Sequence, residues 1–329
     1  MSTSVRAHKA EQILRRLEWT VLRRLDGLLQ GDYRTLFRGQ GLDLADLREY
    51  QLQDDVRYID WNVTARMQTP YVREYHEDRE VTAWFLLDLS PSIDFGSQQV
   101  RKQSVSAEFV AVLARLLTLH GNRVGAIFYG GGDDGVMPPR GGRTHVLQML
   151  HRMQPRPRPA GDKTPPPGET DLGALLHQAH GTLRRRSVVF VVSDFISRPG
   201  WPQRLARLAQ RHEVAAVRLY DPLERELPDL GLVTMQDAET GEQLFVDTHD
   251  AGFRRRFVAA AQRREAELRA AFVEAAVDVL ELSTDDDLAD ALLRFADLRR
   301  QRSRAGAGGG LPAHLGHGLV GASDELSMA

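Results

Sequence analysis

The sequence predicts a doubly wound α/β domain built on a mostly parallel sheet, and three observations carry that expectation. Short, wholly apolar runs such as "VTAWFLLDL" and "SVVFVVSDF" have the length and residue types of strands buried on both faces. Amphipathic stretches of helical length separate these runs, which is the pattern of a parallel sheet covered by helices on both sides. Apolar residues make up 42% of the 329, enough for a sizeable core.

Taken in order, residues 8–29 place Ile13, Leu14, Leu17, Val21, Leu22, Leu25, Leu28 and Leu29 at spacings of three and four. This predicts an amphipathic helix whose arginines form a solvated outer face. Residues 31–80 are dense in charge and aromatics, and the alternation of Tyr71, Arg73 and Tyr75 predicts a strand. A strand at 81–89, a long helix at 98–121 closed by Gly121, and a strand at 122–130 follow. "GGGDDG" then predicts a hairpin turn and not a phosphate loop, because no helix amino terminus follows it directly. A short helix near 144–153 precedes a Pro-rich loop, "PRPRPAGDKTPPPGE", read as a stiffened surface segment.

Thr170 is expected to begin the helix "DLGALLHQAHGTL". Strand 187–195, helix 201–212, strand 213–220 and a hairpin at 232–248 turning at Thr240 and Gly241 come next. A charged helix at 251–275, strand 277–282 and a capped helix at 283–300 complete the pattern. The Gly-rich end has no sustained period and is expected to be disordered. The expected organisation is an amino-terminal helix and charged extension over 1–80, the α/β domain over 81–301, and a tail over 302–329.

A net charge of −2 lacks the positive excess that dominates nucleic-acid binding. The absence of cysteine excludes disulfides, thiolate metal sites and Cys nucleophiles. No run approaches the ~20 apolar residues of a membrane span, and the start lacks the plan of a secretion signal, so a soluble, cytoplasmic protein is expected. His145, His151, His177, His180 and His212 fall singly on helices and receive no role.

The chemistry concentrates where apolar strands end in oxygen. Asp88, Ser90 and Ser92 follow the first strand, Thr170 precedes a helix, and Asp194 ends another strand. In open α/β sheets ligands bind beyond the carboxyl ends of the strands, which puts all five on one rim. Three readings compete: a metal site, a phosphotransfer nucleophile, and polar turns that cap helices. The first draws on two carboxylates and three hydroxyls, a hard-ligand set suited to Mg²⁺, with Mn²⁺ or Ca²⁺ as alternatives. Against the second, a dehalogenase-type phosphatase needs an acid two residues after its nucleophile, and Ser90 stands there. G-x-S-x-G, the Walker pattern and a zinc-protease helix are all absent.

Asp-x-Ser-x-Ser at 88–92, "GETDLGALL" around Thr170 and "VVSD" ending at Asp194 resemble the metal-ion-dependent adhesion site of von Willebrand factor A domains. The resemblance implies a fold of that Rossmann-like type. It also implies that Ser90 and Ser92 hold the ion directly, Thr170 directly or through water, and Asp88 and Asp194 mainly through water. A partner's Glu or Asp would then complete the shell.

"LREYQLQDDVRYIDWNVTAR", "VREYHEDRE" and "VRLYDPLERELPDLG" are similar to the signatures of the domain-of-unknown-function 58 family. That resemblance implies a non-enzymatic adaptor beside a MoxR-type AAA+ ATPase, acting with a client protein in chaperone-like remodelling or cofactor insertion. Residues 41–66 pack Asp54, Asp55, Arg57, Asp60, Trp61 and Arg66 into a short span. That span reads either as a recognition surface or second acidic site or, as composition favours, as a paired-charge network anchored on the sheet domain with Trp61 as its apolar plug. The rival function is a Mg²⁺-dependent phosphohydrolase or nuclease using the same rim, and a third is a scaffold whose rim is empty.

Overall fold

The computed structural model describes residues 3–17, 47–51, 59–73, 82–97, 100–155 and 169–304. Six strands form the central sheet: β3 (Thr82–Asp88), β4 (Arg123–Tyr129), β5 (Gly135–Arg140), β6 (Val188–Ser193), β7 (Glu213–Tyr220) and β10 (Asp278–Ser283). Their order is β10-β7-β6-β3-β4-β5, parallel throughout except for β5. The chain winds outward from β3 to β4 and β5, then crosses back to β6 and continues the other way. The winding direction therefore reverses between β3 and β6, where a doubly wound sheet opens its crevice.

Alternation along each strand builds two cores. Ala83, Phe85 and Leu87 of β3 join Val188, Phe190 and Val192 of β6 under one helical layer. That layer contains α1 (Thr3–Leu17), α3 (Lys102–Leu119), α4 (Arg143–Arg152) and α8 (Leu288–Arg304). Trp84, Leu86, Val189 and Val191 face the other layer, formed by α5 (Leu172–Thr182), α6 (Trp201–Arg211) and α7 (Ala251–Glu274). At the centre of the first core, Phe85 stacks on Phe190 at 5.4 Å, and Phe109 meets both edge-on. No helix of the described residues is long and apolar enough to cross a membrane.

Two small antiparallel pairs stand apart from the main sheet. β1 (Leu47–Glu49) pairs with β2 (Tyr71–Arg73), beside α2 (Trp61–Met67). β8 (Leu232–Gln236) and β9 (Gln243–Asp247) form the expected hairpin, which turns through Gly241 at φ +75°.

Several local expectations need correction. Helix α1 begins at Thr3, five residues ahead of the start that apolar spacing suggests. The remainder of the expected helix at 8–29 lies outside the described residues, as do the Pro-rich loop at 156–168 and the tail from 305. β5 carries Pro138 and Pro139, which mask a strand in sequence but are tolerated at the sheet edge it occupies. The cap of α8 is Asp287, which accepts from the Asp290 N–H, and Ser283 instead ends β10. Trp61 is no plug: it is 69% exposed, while its neighbour Asp60 is buried and caps α2 by accepting from the Val63 N–H. Asp54, Asp55 and Arg57 of the same segment lie outside the described residues.

Candidate metal and carboxylate site

The site is assembled at the carboxyl ends of β3 and β6, on either side of the reversal point. Asp88 is the last residue of β3 and is wholly buried. One of its oxygens accepts from the Ser90 N–H at 3.0 Å and the other from the Ser193 hydroxyl at 2.6 Å. Ser193 shares a strand face with Val189 and Val191, so the alternation that builds the second core also aims its hydroxyl at Asp88. A short 3-10 turn, Pro91–Asp94, then brings Ser92 beside Ser90, with their hydroxyl oxygens 3.1 Å apart. The turn after β4 presses close to this loop. A Cβ on Gly130 would come within 3.0 Å of the Ser90 nitrogen, and its φ of +83° independently calls for glycine.

Asp194 follows β6 and is equally enclosed. Its Oδ1 accepts from the Ile196 N–H at 3.0 Å, and its Oδ2 lies 2.8 Å from the Lys102 ammonium. Lys102, the first residue of α3, is 1% exposed and also reaches Glu224 at 2.6 Å. Burial opposes its charge, but the Asp194 and Glu224 carboxylates outweigh that and hold its pKa above the ordinary lysine value. Phe195 takes a left-handed backbone at φ +59°, sustained by packing against Trp201 and Phe272. The chain thereby turns immediately after Asp194.

Thr170 joins through the loop that leaves β6. The Ser197 hydroxyl and the Arg198 N–H both donate to its carbonyl, at 2.9 and 3.0 Å. Thr170 does not cap α5. Asp171 does, accepting from the Ala174 N–H, while the Asp171 N–H donates to the Tyr129 hydroxyl at the end of β4. The Thr170 N–H instead donates to Glu239 Oε2 at 2.8 Å, and its hydroxyl donates to Glu239 Oε1. Ser92, Glu224 and Glu239 line one open cleft of about 510 Å³ together with Lys102 and Arg198.

The structure thus brings all five predicted residues to one rim and adds four that sequence reasoning missed: Lys102, Ser193, Glu224 and Glu239. Asp94, adjacent in sequence, is turned away and pairs with Arg101 at 2.8 and 2.9 Å. Arg198 and Arg264 also line the cleft, but close ion pairs with the rim carboxylates are few. Among the described residues, Lys102 is the one cation within ion-pair distance of Asp88, Asp194, Glu224 or Glu239, and it does not reach Asp88. Burial, together with the neighbouring Asp194 charge, pushes the Asp88 carboxyl up to about 6. A buried carboxylate with no cation, beside two adjacent hydroxyls, fits a hard divalent ion. No group of three His, Cys, Asp or Glu residues with metal-site geometry occurs among the described residues, so hydroxyls and water would have to supply the remaining ligands.

Comparison with known proteins bears on identity. Uncharacterized protein Rv1480 of Mycobacterium tuberculosis is 36% identical over 299 residues, covering 91% of this chain and 92% of that one. MAV169 of Mycobacterium avium is 34% identical over 171 residues, covering 52% of this chain and 97% of its own. Among solved structures, BatB of Bacteroides thetaiotaomicron is similar at a TM-score of 0.41 and 14% identity, over 68% of this chain and 99% of that chain. The SpRpn10 VWA domain is similar at 0.34 and 13%, over 65% and 94%. The family model described as protein of unknown function DUF58 matches residues 46–267, and the chain belongs to that family.

Proposed function

We propose that the chain is a non-enzymatic protein-binding adaptor whose rim, in the presence of Mg²⁺, takes an acidic side chain from a partner. What supports this reading is the donor set: Asp88, Ser90, Ser92 and Asp194 lie at the reversal point of the sheet, with Thr170 tied to the loop after Asp194, and no cation is within ion-pair distance of Asp88 among the described residues. Ser90 and Ser92 would hold the ion directly, with Asp88 and Asp194 acting through water because their oxygens already accept hydrogen bonds from the chain. A bound Mg²⁺ supplies a positive centre with coordination positions left for water or an outside carboxylate. Lys102 holds Asp194 in place and offsets part of the charge, so the rim is shaped before any partner arrives.

The family resemblance supplies the partner class, a MoxR-type AAA+ ATPase with a client that offers the acidic group. The rival reading is a Mg²⁺-dependent phosphohydrolase or nuclease that uses the same carboxylates. Against it, Ser90 stands where a dehalogenase-type phosphatase needs its second acid, and among the described residues the hydrogen bonds to Asp88 come from Ser90 and Ser193. The test is retention of partners from native extract with Mg²⁺ and with EDTA, on wild type and on Asp194→Ala. The proposal expects an AAA+ ATPase or one dominant client to be retained only with Mg²⁺ and intact Asp194. Equal retention in every condition would remove the rim from the account. Turnover of phosphate esters abolished by Asp88→Asn would favour the enzymatic rival.

A further inference from the structure

The rim of this chain already carries an acidic side chain, and it comes from within. Glu239 sits at the tip of the β8–β9 hairpin, 69 residues from Thr170, yet both of its carboxylate oxygens are bound by that one residue. The N–H and hydroxyl of Thr170 form a two-point donor ahead of α5, whose positive amino-terminal end favours an anion. The hairpin is built to present this group. Asp237 accepts from the Glu239 and Thr240 N–H groups at 2.8 and 2.7 Å, which fixes the turn and holds the Asp237 carboxyl below its ordinary pKa. At its base, the Thr248 hydroxyl accepts from Leu230 and donates to Gly231 at 2.8 and 2.7 Å. With Glu239 in place, Thr170 is only 4% exposed.

We infer that Thr170 is the carboxylate receptor of the rim and that Glu239 is its internal ligand, which an incoming acidic side chain must displace. The chain closes its own site, and the ligand it accepts is a carboxylate carried on a turn. This deepens the adaptor reading and rests on it for the identity of the competitor. The contact itself needs no metal, so the two can fail separately. A partner that binds through the rim has to compete with an effective local concentration of Glu239 set by the hairpin.

The test follows the Thr170 amide by NMR in EDTA, so that the metal reading does not enter. In wild type this amide should be protected, and in Glu239→Ala it should exchange about tenfold faster or more, as expected when a hydrogen bond of this kind is released. Glu239→Gln, which keeps the shape without the charge, should fall between them. Sodium acetate, added as the probe, should shift the Thr170 amide resonance in Glu239→Ala and leave wild type unmoved. Thr170 exchange at the wild-type rate in Glu239→Ala would overturn the inference. So would an acetate response equal in the two chains, or absent from both. A separate Mg²⁺ titration of wild type decides the metal reading whatever these amides do.

Discussion

Replacing Asp88 by asparagine should stabilise the metal-free chain at neutral pH, although the residue is buried at the end of a central strand. The carboxyl is pushed from 3.8 to about 6, so between those values the folded chain binds the proton more tightly than the unfolded one. The stability contributed by that proton is present below pH 3.8 and lost as the pH rises through 6. With Asp88 ionised, the penalty is about 3 kcal/mol. Asparagine has nearly the same shape, carries no charge and retains an oxygen for the Ser90 N–H. It weakens the bond from the Ser193 hydroxyl, an offset of about 1 kcal/mol. The net gain is about 2 kcal/mol, or about 4–8 °C in Tm for a folded region of this size.

Thermal and urea melts in EDTA near pH 7.5 and near pH 5 read this directly. The variant should lead at the higher pH, and the gap should narrow at the lower one as wild-type Asp88 takes up its proton. Mg²⁺ should then reverse the order, since an ion at one hundred times its Kd adds about 2.7 kcal/mol to the chain that binds it. A variant that melts at or below wild type in EDTA near pH 7.5 would refute the claim that Asp88 is a buried charge awaiting a cation.

Three further outcomes follow from the same structure. Lys102→Met removes the one ammonium held by two carboxylates and leaves Asp194 buried without a counter-ion, which should cost about 3–5 kcal/mol in urea unfolding. Phe190→Ala opens the aromatic centre of the first core and should cost about 3–5 kcal/mol without altering Mg²⁺ uptake per folded molecule. His212 is buried with neither ring nitrogen hydrogen-bonded, and its burial, reinforced by nearby Arg211, depresses its pKa below 6.5. The unfolded chain therefore binds the extra proton, and stability should fall as pH drops below 6.5. A His212→Leu variant should flatten that part of the pH profile.

Much of the scaffold was legible because burial on both faces writes itself as an unbroken apolar run. β3, β6 and β7 appear in sequence within a residue or two of their observed ends. Asp88, Ser90, Ser92 and Asp194 stood out for a related reason, as polar groups that follow such runs at a strand end, whereas Thr170 stood out only as a hydroxyl ahead of a helix. Lys102 left a usable trace, since it lies on the stripe of Ser106, Phe109 and Leu113, where a solvated lysine does not belong. Ser193 left a fainter one, because its place in the alternation of Val189 and Val191 turns it inward. Glu239 left none. An acidic residue in a hairpin turn is ordinary, and only the folding of the hairpin back toward α5 gives it a partner. Trp61 misled because an aromatic among paired charges suggests a buried plug, whereas the buried group is the capping carboxylate of Asp60 beside it.

The central claim is that the rim holds a divalent cation through Asp88 and its neighbouring hydroxyls. Calorimetric titration of Mg²⁺ into the chelator-stripped chain tests it most directly, with a Ser90→Ala/Ser92→Ala double variant alongside. The account predicts one ion per wild-type chain and none in the variant, with both chains melting cooperatively. Failure of wild type to take up Mg²⁺, or uptake equal in the two chains, would contradict it.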